Sequence, residues 1–243
     1  MKDKEKWFLW EDIDRSPYIN MAIDELLLEK SSSGDMPILR IYGWDTPSVS
    51  IGYVQDIAAA PASGYTIVRR PTGGGVVYHD RDLTYTVVIP AGHRISSLDR
   101  LESYHVLHHA VLDALESLGH RDAKLSPDEM PPVDRLTMQC FTTPTRYDVM
   151  SDGRKFSGSA QRRTKKGILH QGSISLDASG GDKNLLTKTI ISGFMKVLML
   201  DFISFAPSPA LLTEAAALAE NKYGTDEWNT GKSEKNGGRH KKA

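Results

Sequence analysis

Cys140 is the only cysteine in the chain, and it sits in Cys140-Phe141-Thr142-Thr143-Pro144-Thr145-Arg146-Tyr147-Asp148, a Pro/Thr-rich stretch rather than an apolar run. A lone cysteine is usually an inert buried residue. One placed in a loop is a candidate nucleophile if something nearby favours its thiolate. The block Gly153-Arg154-Lys155-Phe156-Ser157-Gly158-Ser159-Ala160-Gln161-Arg162 follows closely. A lysine beside a cysteine in a partly dry site favours the thiolate by charge and can relay a proton to a leaving group. Lys155 also opens a strand-like run ending in the small residues Ser157, Gly158, Ser159 and Ala160, against which a ligand can lie. The plain alternative is a solvated hairpin lysine.

A second block, Arg69-Arg70-Pro71-Thr72-Gly73-Gly74-Gly75-Val76-Val77-Tyr78-His79-Asp80, joins two strand-like runs through three consecutive glycines. Such a run is costly in chain entropy. It makes sense where backbone must approach a ligand closely or present N–H groups to an anion or carbonyl; a flexible hairpin with flanking charges is the bland reading. The block is neither a G-x-x-x-x-G-K-[ST] nor a G-x-G-x-x-G motif. His170-Gln171-Gly172-Ser173 ends another strand-like run, where His170 either lines a pocket or caps the strand. His105, His108 and His109 share one helix, but no H-E-x-x-H pattern or other ligand cluster accompanies them, so no metal site is expected.

These residues must be positioned by short strands and a few helices. Ser16-Pro17 opens a helix to about Lys30, with Ile19, Ala22, Ile23, Leu26 and Leu27 at helical spacing. A second helix is expected from about Leu98 to Leu118, with Leu101, His105, His108, Leu112 and Leu115 along one face and Gly119 as its stop. Leu185 to about Asp201 and Pro209 to Lys222 read as two more. Strand-like runs are Trp7–Trp10, Ile38–Tyr42, Ser48–Gly52, Thr66–Arg70, Val76–Tyr78 and Leu83–Ile89, with Tyr147–Met150, Lys155–Ser159 and Ile168–Leu176 forming a second sheet region. Interspersed strands and helices predict an α+β fold, mixed or antiparallel sheets flanked by helices. One catalytic domain is expected over residues 1–228, with a basic, disordered tail at 229–243.

The chain has 243 residues, enough for a real core, with 40% hydrophobic and 25% charged residues, an ordinary soluble composition. A formal net charge of -1 provides no global field toward nucleic acid or anionic membrane, so neither is an expected partner. One cysteine cannot form an internal disulfide. No signal-peptide core follows the charged N-terminus, and the apolar stretch Ile190–Phe205 is interrupted by Lys196 and Asp201. A cytoplasmic location is expected.

In order and spacing, these blocks resemble the lipoate-protein ligase and octanoyltransferase family, related to the biotin ligase catalytic domain. The resemblance runs from about Trp7 to Trp228. Its landmarks are Asn20-Met21-Ala22-Ile23-Asp24-Glu25, Trp44-Asp45-Thr46-Pro47-Ser48-Val49-Ser50-Ile51-Gly52, the Arg70–Asp80 glycine block, Lys155–Gln161, His170–Ser173 and Tyr223–Trp228. The resemblance implies a biotin/lipoate protein ligase-like catalytic fold. It further implies that Arg70, Gly73, Gly74, Gly75 and His79 line an acyl tunnel and that Lys155 is the site lysine touching the acyl carbonyl. Ser157, Gly158, Ser159, Ala160, His170 and Gly172 join the expected substrate-binding set. Cys140 points to the cysteine-bearing octanoyltransferase branch, where it and Lys155 are catalytic. The implied reaction carries octanoyl from acyl carrier protein, by a Cys140 thioester, to a lysine of a lipoyl domain or the glycine-cleavage H protein, with no cofactor. Three other readings remain: a ligase needing ATP and Mg, an octanoyl amidotransferase, and a non-catalytic binding module.

Overall fold

The computed structural model describes residues 4–61, 63–127 and 146–231. In chain order the elements are β1 (Glu5–Arg15), α1 (Pro17–Lys30), β2 (Ile38–Trp44), β3 (Ser48–Ile51), β4 (Thr66–Arg69), β5 (Val77–His79), β6 (Asp82–Pro90), α2 (Arg94–Ser97) and α3 (Arg100–Ser117). There follow β7 (Lys124–Leu125), β8 (Val149–Ser151), β9 (Arg154–Thr164), β10 (Gly167–Ser175), α4 (Lys183–Leu198), β11 (Leu200–Ser204), α5 (Pro209–Leu218) and α6 (Asp226–Thr230). The expected α+β architecture of mixed sheets flanked by helices is what the chain adopts.

One large sheet runs β11-β1-β2-β6-β10-β9-β8-β7, and a small one runs β4-β3-β5. β1 pairs in parallel with both β11 and β2, whereas β2-β6-β10-β9-β8 is antiparallel. The runs after residue 147 therefore do not build a second sheet: β8, β9 and β10 extend the large one, and the second sheet comes from the middle of the chain. β11 and α6 were not foreseen, because Leu200–Ser204 reads as the end of a helical apolar run. Met199, with φ 56, breaks that run in the left-handed region.

Local chemistry explains the helix ends. Ser16 Oγ accepts from the Ile19 N–H, and Pro17 fills the first turn of α1. Asp99 and Glu102 form a reciprocal capping box at the start of α3, so the helix begins after Asp99 rather than at Leu98. Its buried face is the expected one only in part: His108 and Leu115 are buried and Leu101 and Leu112 half-buried, but small residues make up much of it. Ser103, Leu107, His108, Ala110, Val111, Ala114 and Leu115 are buried, while His105 is exposed. The small residues are there because α4 comes very close: a Cβ on Gly193 would lie 2.3 Å from the Ala110 carbonyl oxygen.

Both faces of the large sheet are covered, and β6 is buried along its whole length. Along β1 and β6 the alternation is clean. Trp7, Leu83, Tyr85, Val87 and Ile89 join the core under α3 and α4. Trp10 and Val88 join the core under α1 and α5. On this second side the small sheet carries its own cluster of Val49, Ile51 and Val76. α6 includes Trp228, and Asn229, expected in the tail, is buried within the same helix. No helix among the described residues is long and apolar enough to cross a membrane.

Candidate active site

A cleft enclosing about 490 Å³ of empty space, part of it continuous with solvent, lies between the large sheet and the small one. Its walls include Met21, Trp44, Val77 and Ala160, with Lys155 among its polar groups.

The glycine block closes one side. Arg70 folds it inward: Nη2 donates to the carbonyls of Gly73 at 2.5 Å and Gly75 at 2.7 Å, and Nη1 donates to the Ser50 carbonyl at 3.0 Å. Gly74 has φ +86, a conformation that favours glycine. Its carbonyl lies so close to Gly52 that a Cβ there would be 2.0 Å from it. The two backbones can meet because Gly52 carries no side chain. Thr72 Oγ1 donates to Gln171 Oε1 at 2.7 Å, tying the loop to β10. Arg69 points the other way. Its guanidinium donates to the carbonyls of Gly52, Tyr53, Gln55, Trp228 and Asn229, while its own N–H donates to Asn229 Oδ1 at 2.7 Å.

Behind the cleft floor, Asp24 of α1 accepts from Arg40 Nη1 at 2.7 Å, Tyr42 OH at 2.9 Å, Thr86 Oγ1 at 2.7 Å and Gln171 Nε2 at 2.7 Å. One carboxylate thus fastens α1 to β2, β6 and β10. Burial, with the Asp24 charge beside it, pushes the Tyr42 phenol well above its ordinary value.

At the opposite wall Lys155 Nζ lies 2.7 Å from Asp148 Oδ2, with both side chains almost wholly buried. The lysine stem runs over Gly158, where a Cβ would sit 2.5 Å from Lys155 Cε. Glycine is what leaves room for the charged end. His108 braces the same corner from α3: Nδ1–H donates to the Tyr147 carbonyl, and Nε2 accepts from the Ser159 hydroxyl. Burial holds this imidazole below its ordinary value, so it is neutral at neutral pH. His79, on β5, is buried with Nε2 2.8 Å from Ser50 Oγ and Nδ1 2.8 Å from Asp82 Oδ2.

The model of the lipoyl protein ligase A/B catalytic domain matches residues 16–194, most of the chain and every wall of this cleft. The chain belongs to that family. An octanoyltransferase LipM of Anoxybacillus flavithermus is 32% identical to it, across 93% of this chain and 99% of the relative. An octanoyltransferase LipM of Staphylococcus epidermidis is 31% identical, across 90% and 98%. Among solved structures, a T. acidophilum protein described as a candidate lipoate protein ligase, with bound lipoic acid, superposes with a TM-score of 0.74. It is 27% identical over 93% of this chain and 99% of that one. Like these relatives, the chain is an acyltransferase-family enzyme.

Against this lipoyl protein ligase A/B frame, the residues singled out in the sequence separate into groups. Arg70, Gly74, Gly75, His79, Lys155, Gly158, Ser159, Ala160 and Gly172 all line the one cleft. Ser159 does so with its hydroxyl turned back to His108. Gly73 contributes a carbonyl to Arg70 but is not part of the wall. Ser157 is wholly buried beside Ile174, its cross-strand partner, on the α3/α4 side. His170 neither lines the cleft nor caps a strand. It lies mid-strand, wholly buried, with Tyr85, Tyr104 and His108 around its ring and Gln161 Nε2 3.1 Å from Nδ1. The parity of β10 explains this: Gln171 and Ser173 face the cleft, so His170 faces the helices. Cys140 falls outside the described residues. Asp148, Ser50, Trp44, Asp82 and Asp24 were not assigned roles from the sequence. Asp24 and Asp148 stand inside motifs already noted, and a buried carboxylate within such a motif is the signal that was there to read.

Proposed function

We propose that the protein transfers an octanoyl group, in lipoate biosynthesis, from an acyl carrier protein to a lysine of a lipoyl domain or of the glycine-cleavage H protein. The observation that supports this best is the cleft itself. One wall is apolar and built around glycines, and the other ends at a buried lysine held by a carboxylate. Relatives that match nearly end to end are octanoyltransferases.

The chemistry divides into two exchanges. The Cys140 thiolate attacks the thioester carbonyl of the carrier-bound octanoyl group, the carrier thiol leaves, and a thioester on Cys140 results. The acceptor amine then attacks that thioester, giving an amide and returning the thiol. The first exchange trades one thioester for another, and the second runs downhill to an amide, so the reaction needs no nucleotide. Lys155, paired with Asp148, supplies a fixed positive charge for the thiolate and for the oxyanion that forms on the carbonyl. Chain length is read by burial, at roughly 0.8 kcal/mol per CH₂. This separates octanoyl from short chains well and from its nearest neighbours weakly.

Intact-mass measurement after incubation with octanoyl-acyl carrier protein tests the reading. The wild-type enzyme gains one octanoyl group and passes it to a lipoyl domain without ATP, and Cys140→Ala gains none. A Cys140→Ala enzyme that transfers at the normal rate, or a wild-type enzyme that works only with free octanoate plus ATP, rules the covalent route out.

A further inference from the structure

Ser50, His79 and Asp82 form a line of hydrogen bonds that the transfer scheme leaves without a task. The bonds are 2.8 Å on either side of the imidazole, and all three residues are buried. Asp82 Oδ2 also accepts from Ser173 Oγ at 2.5 Å and Thr84 Oγ1 at 3.0 Å, so the carboxylate cannot swing away. The ring is stacked on Trp44, centroids 3.9 Å apart and planes 17° from parallel. Trp44 in turn is fixed by its Nε1–H donating to Thr84 Oγ1 at 2.8 Å. A carboxylate at Nδ1 sets the tautomer: the proton sits on Nδ1, and the Nε2 lone pair faces the Ser50 hydroxyl. This is the order of groups that makes an imidazole a base in Ser-His-Asp sites.

Ser50 and His79 line the same cleft as Lys155. Ser173, bonded to Asp82, pairs across the sheet with Gly158. A Cβ on Gly158 would be 2.7 Å from Lys155 Nζ. Neighbouring strands are about 4.8 Å apart. Through Ser173 the Asp82 end of the line reaches β10, beside the β9 strand that carries Lys155, so a cation and an oriented base face one cleft from its two sheets. Ser50 itself is placed to pass a proton rather than to attack. It sits mid-strand in β3, paired on both sides with Val68 and Val77, and Arg70 Nη1 holds both its carbonyl and its Oγ.

We infer that Ser50, His79 and Asp82 form the proton acceptor for the incoming lysine amine, serving the second half of the reaction and not the first. The inference rests on the two-step transfer proposed above. In the first half one thiolate replaces another, and no N–H proton must go. In the second, R–NH₂ and the enzyme thioester become an amide and a thiol, so nitrogen gives up one proton and sulfur gains one. His79 Nε2 takes that proton through the Ser50 hydroxyl as the C–N bond forms. When the C–S bond breaks, the cysteine sulfur is protonated from the Lys155 ammonium, and the imidazolium returns its proton through solvent to Lys155. Both residues end as they began.

The test loads wild-type, His79→Gln and Ser50→Ala enzymes from octanoyl-acyl carrier protein, isolates the acyl-enzymes, and mixes each with a lipoyl domain while intact mass is followed. Discharge by His79→Gln is expected to slow by about 10²–10⁴-fold more than its loading does, the usual worth of a positioned base. Ser50→Ala slows discharge less, and its smaller change keeps the test alive if His79→Gln does not fold. Raising the pH restores part of the lost rate, because the acceptor amine is only about one part in 2,500 neutral at pH 7. Equal slowing of both halves, or discharge at the wild-type rate in both variants, overturns the assignment. A wild-type enzyme that never loads overturns the two-step scheme instead, so the two failures are distinguishable.

Discussion

On the side of the large sheet that meets α1, buried polarity is ionic. Arg40 lies between Asp24 and Asp12, and Asp82 holds His79, while the Lys155–Asp148 pair sits at the sheet edge that His108 braces. On the side that meets α3 and α4, buried polarity is neutral: His108, His170, Tyr85 and Tyr104. Burial holds His108 low and His170 well below its ordinary value, and it pushes Tyr104 up to about 12. All four stay uncharged at neutral pH. The difference follows from what each face does. Charges in a dry interior cost several kcal/mol each unless fully paired, and here they accompany the face that must shape a cleft and steer protons. The other face only has to pack, and neutral rings with one or two hydrogen bonds suffice.

The sharpest way to break this comparison is Arg40→Met. It removes the cation shared by Asp24 and Asp12, leaves two buried carboxylates without it, and should cost about 3–5 kcal/mol in urea unfolding. A loss below about 1 kcal/mol would mean the ionic face is not held together by its charges. Next come two glycines on opposite faces. Gly172→Ala places a Cβ 2.2 Å from the buried Tyr85 ring and should cost roughly 1–3 kcal/mol of stability, which is where its main effect should fall. Gly158→Ala presses on Lys155 instead, so its kcat should fall more than its stability; the reverse order would dissolve the distinction between the faces. The smallest effect is in pH. Because His108 and His170 bind protons more weakly folded than unfolded, their contribution is fully present above about pH 6.5 and is lost as pH falls through their depressed folded values. The slope approaches about 1.4 kcal/mol per pH unit for each. Unfolding midpoints at pH 8 and pH 5.5 should therefore converge when His170 is replaced by Gln.

Much of this molecule could be read before its coordinates. Ser16-Pro17 marks the start of α1 to the residue, and the β-branched runs mark most strands, because caps and alternation are local signals. The cleft residues Arg70, Gly74, Gly75, Lys155 and Gly158 follow from the family resemblance, since type and spacing alone leave the glycine block and Lys155 with plain alternatives. What escaped was set by distant partners. Arg69 and Arg70 look alike in sequence, as two charges beside a loop. One is a clamp on the glycine block and the other a clamp on α6, whose contacting residues lie 159–160 positions away. His170 was misplaced because facing depends on register, and a shift of one residue along a strand exchanges cleft for core. The buried face of α3 is legible only in part for a similar reason: Gly193, on another helix, decides where α3 needs small side chains.

The Arg69 clamp has a consequence for synthesis. The root of the glycine block is tied to Trp228 and Asn229, and the Asn229 side chain that receives the Arg69 N–H is 160 residues further along the chain. At translation rates of about 5–20 residues per second, Arg69 leaves the ribosome roughly 8–32 s before its partner exists. For that interval only the ties of this guanidinium to Gly52, Tyr53 and Gln55 can form, and β4 lacks its contacts with α6. A nascent chain should therefore hold the start of the glycine block less firmly until α6 emerges.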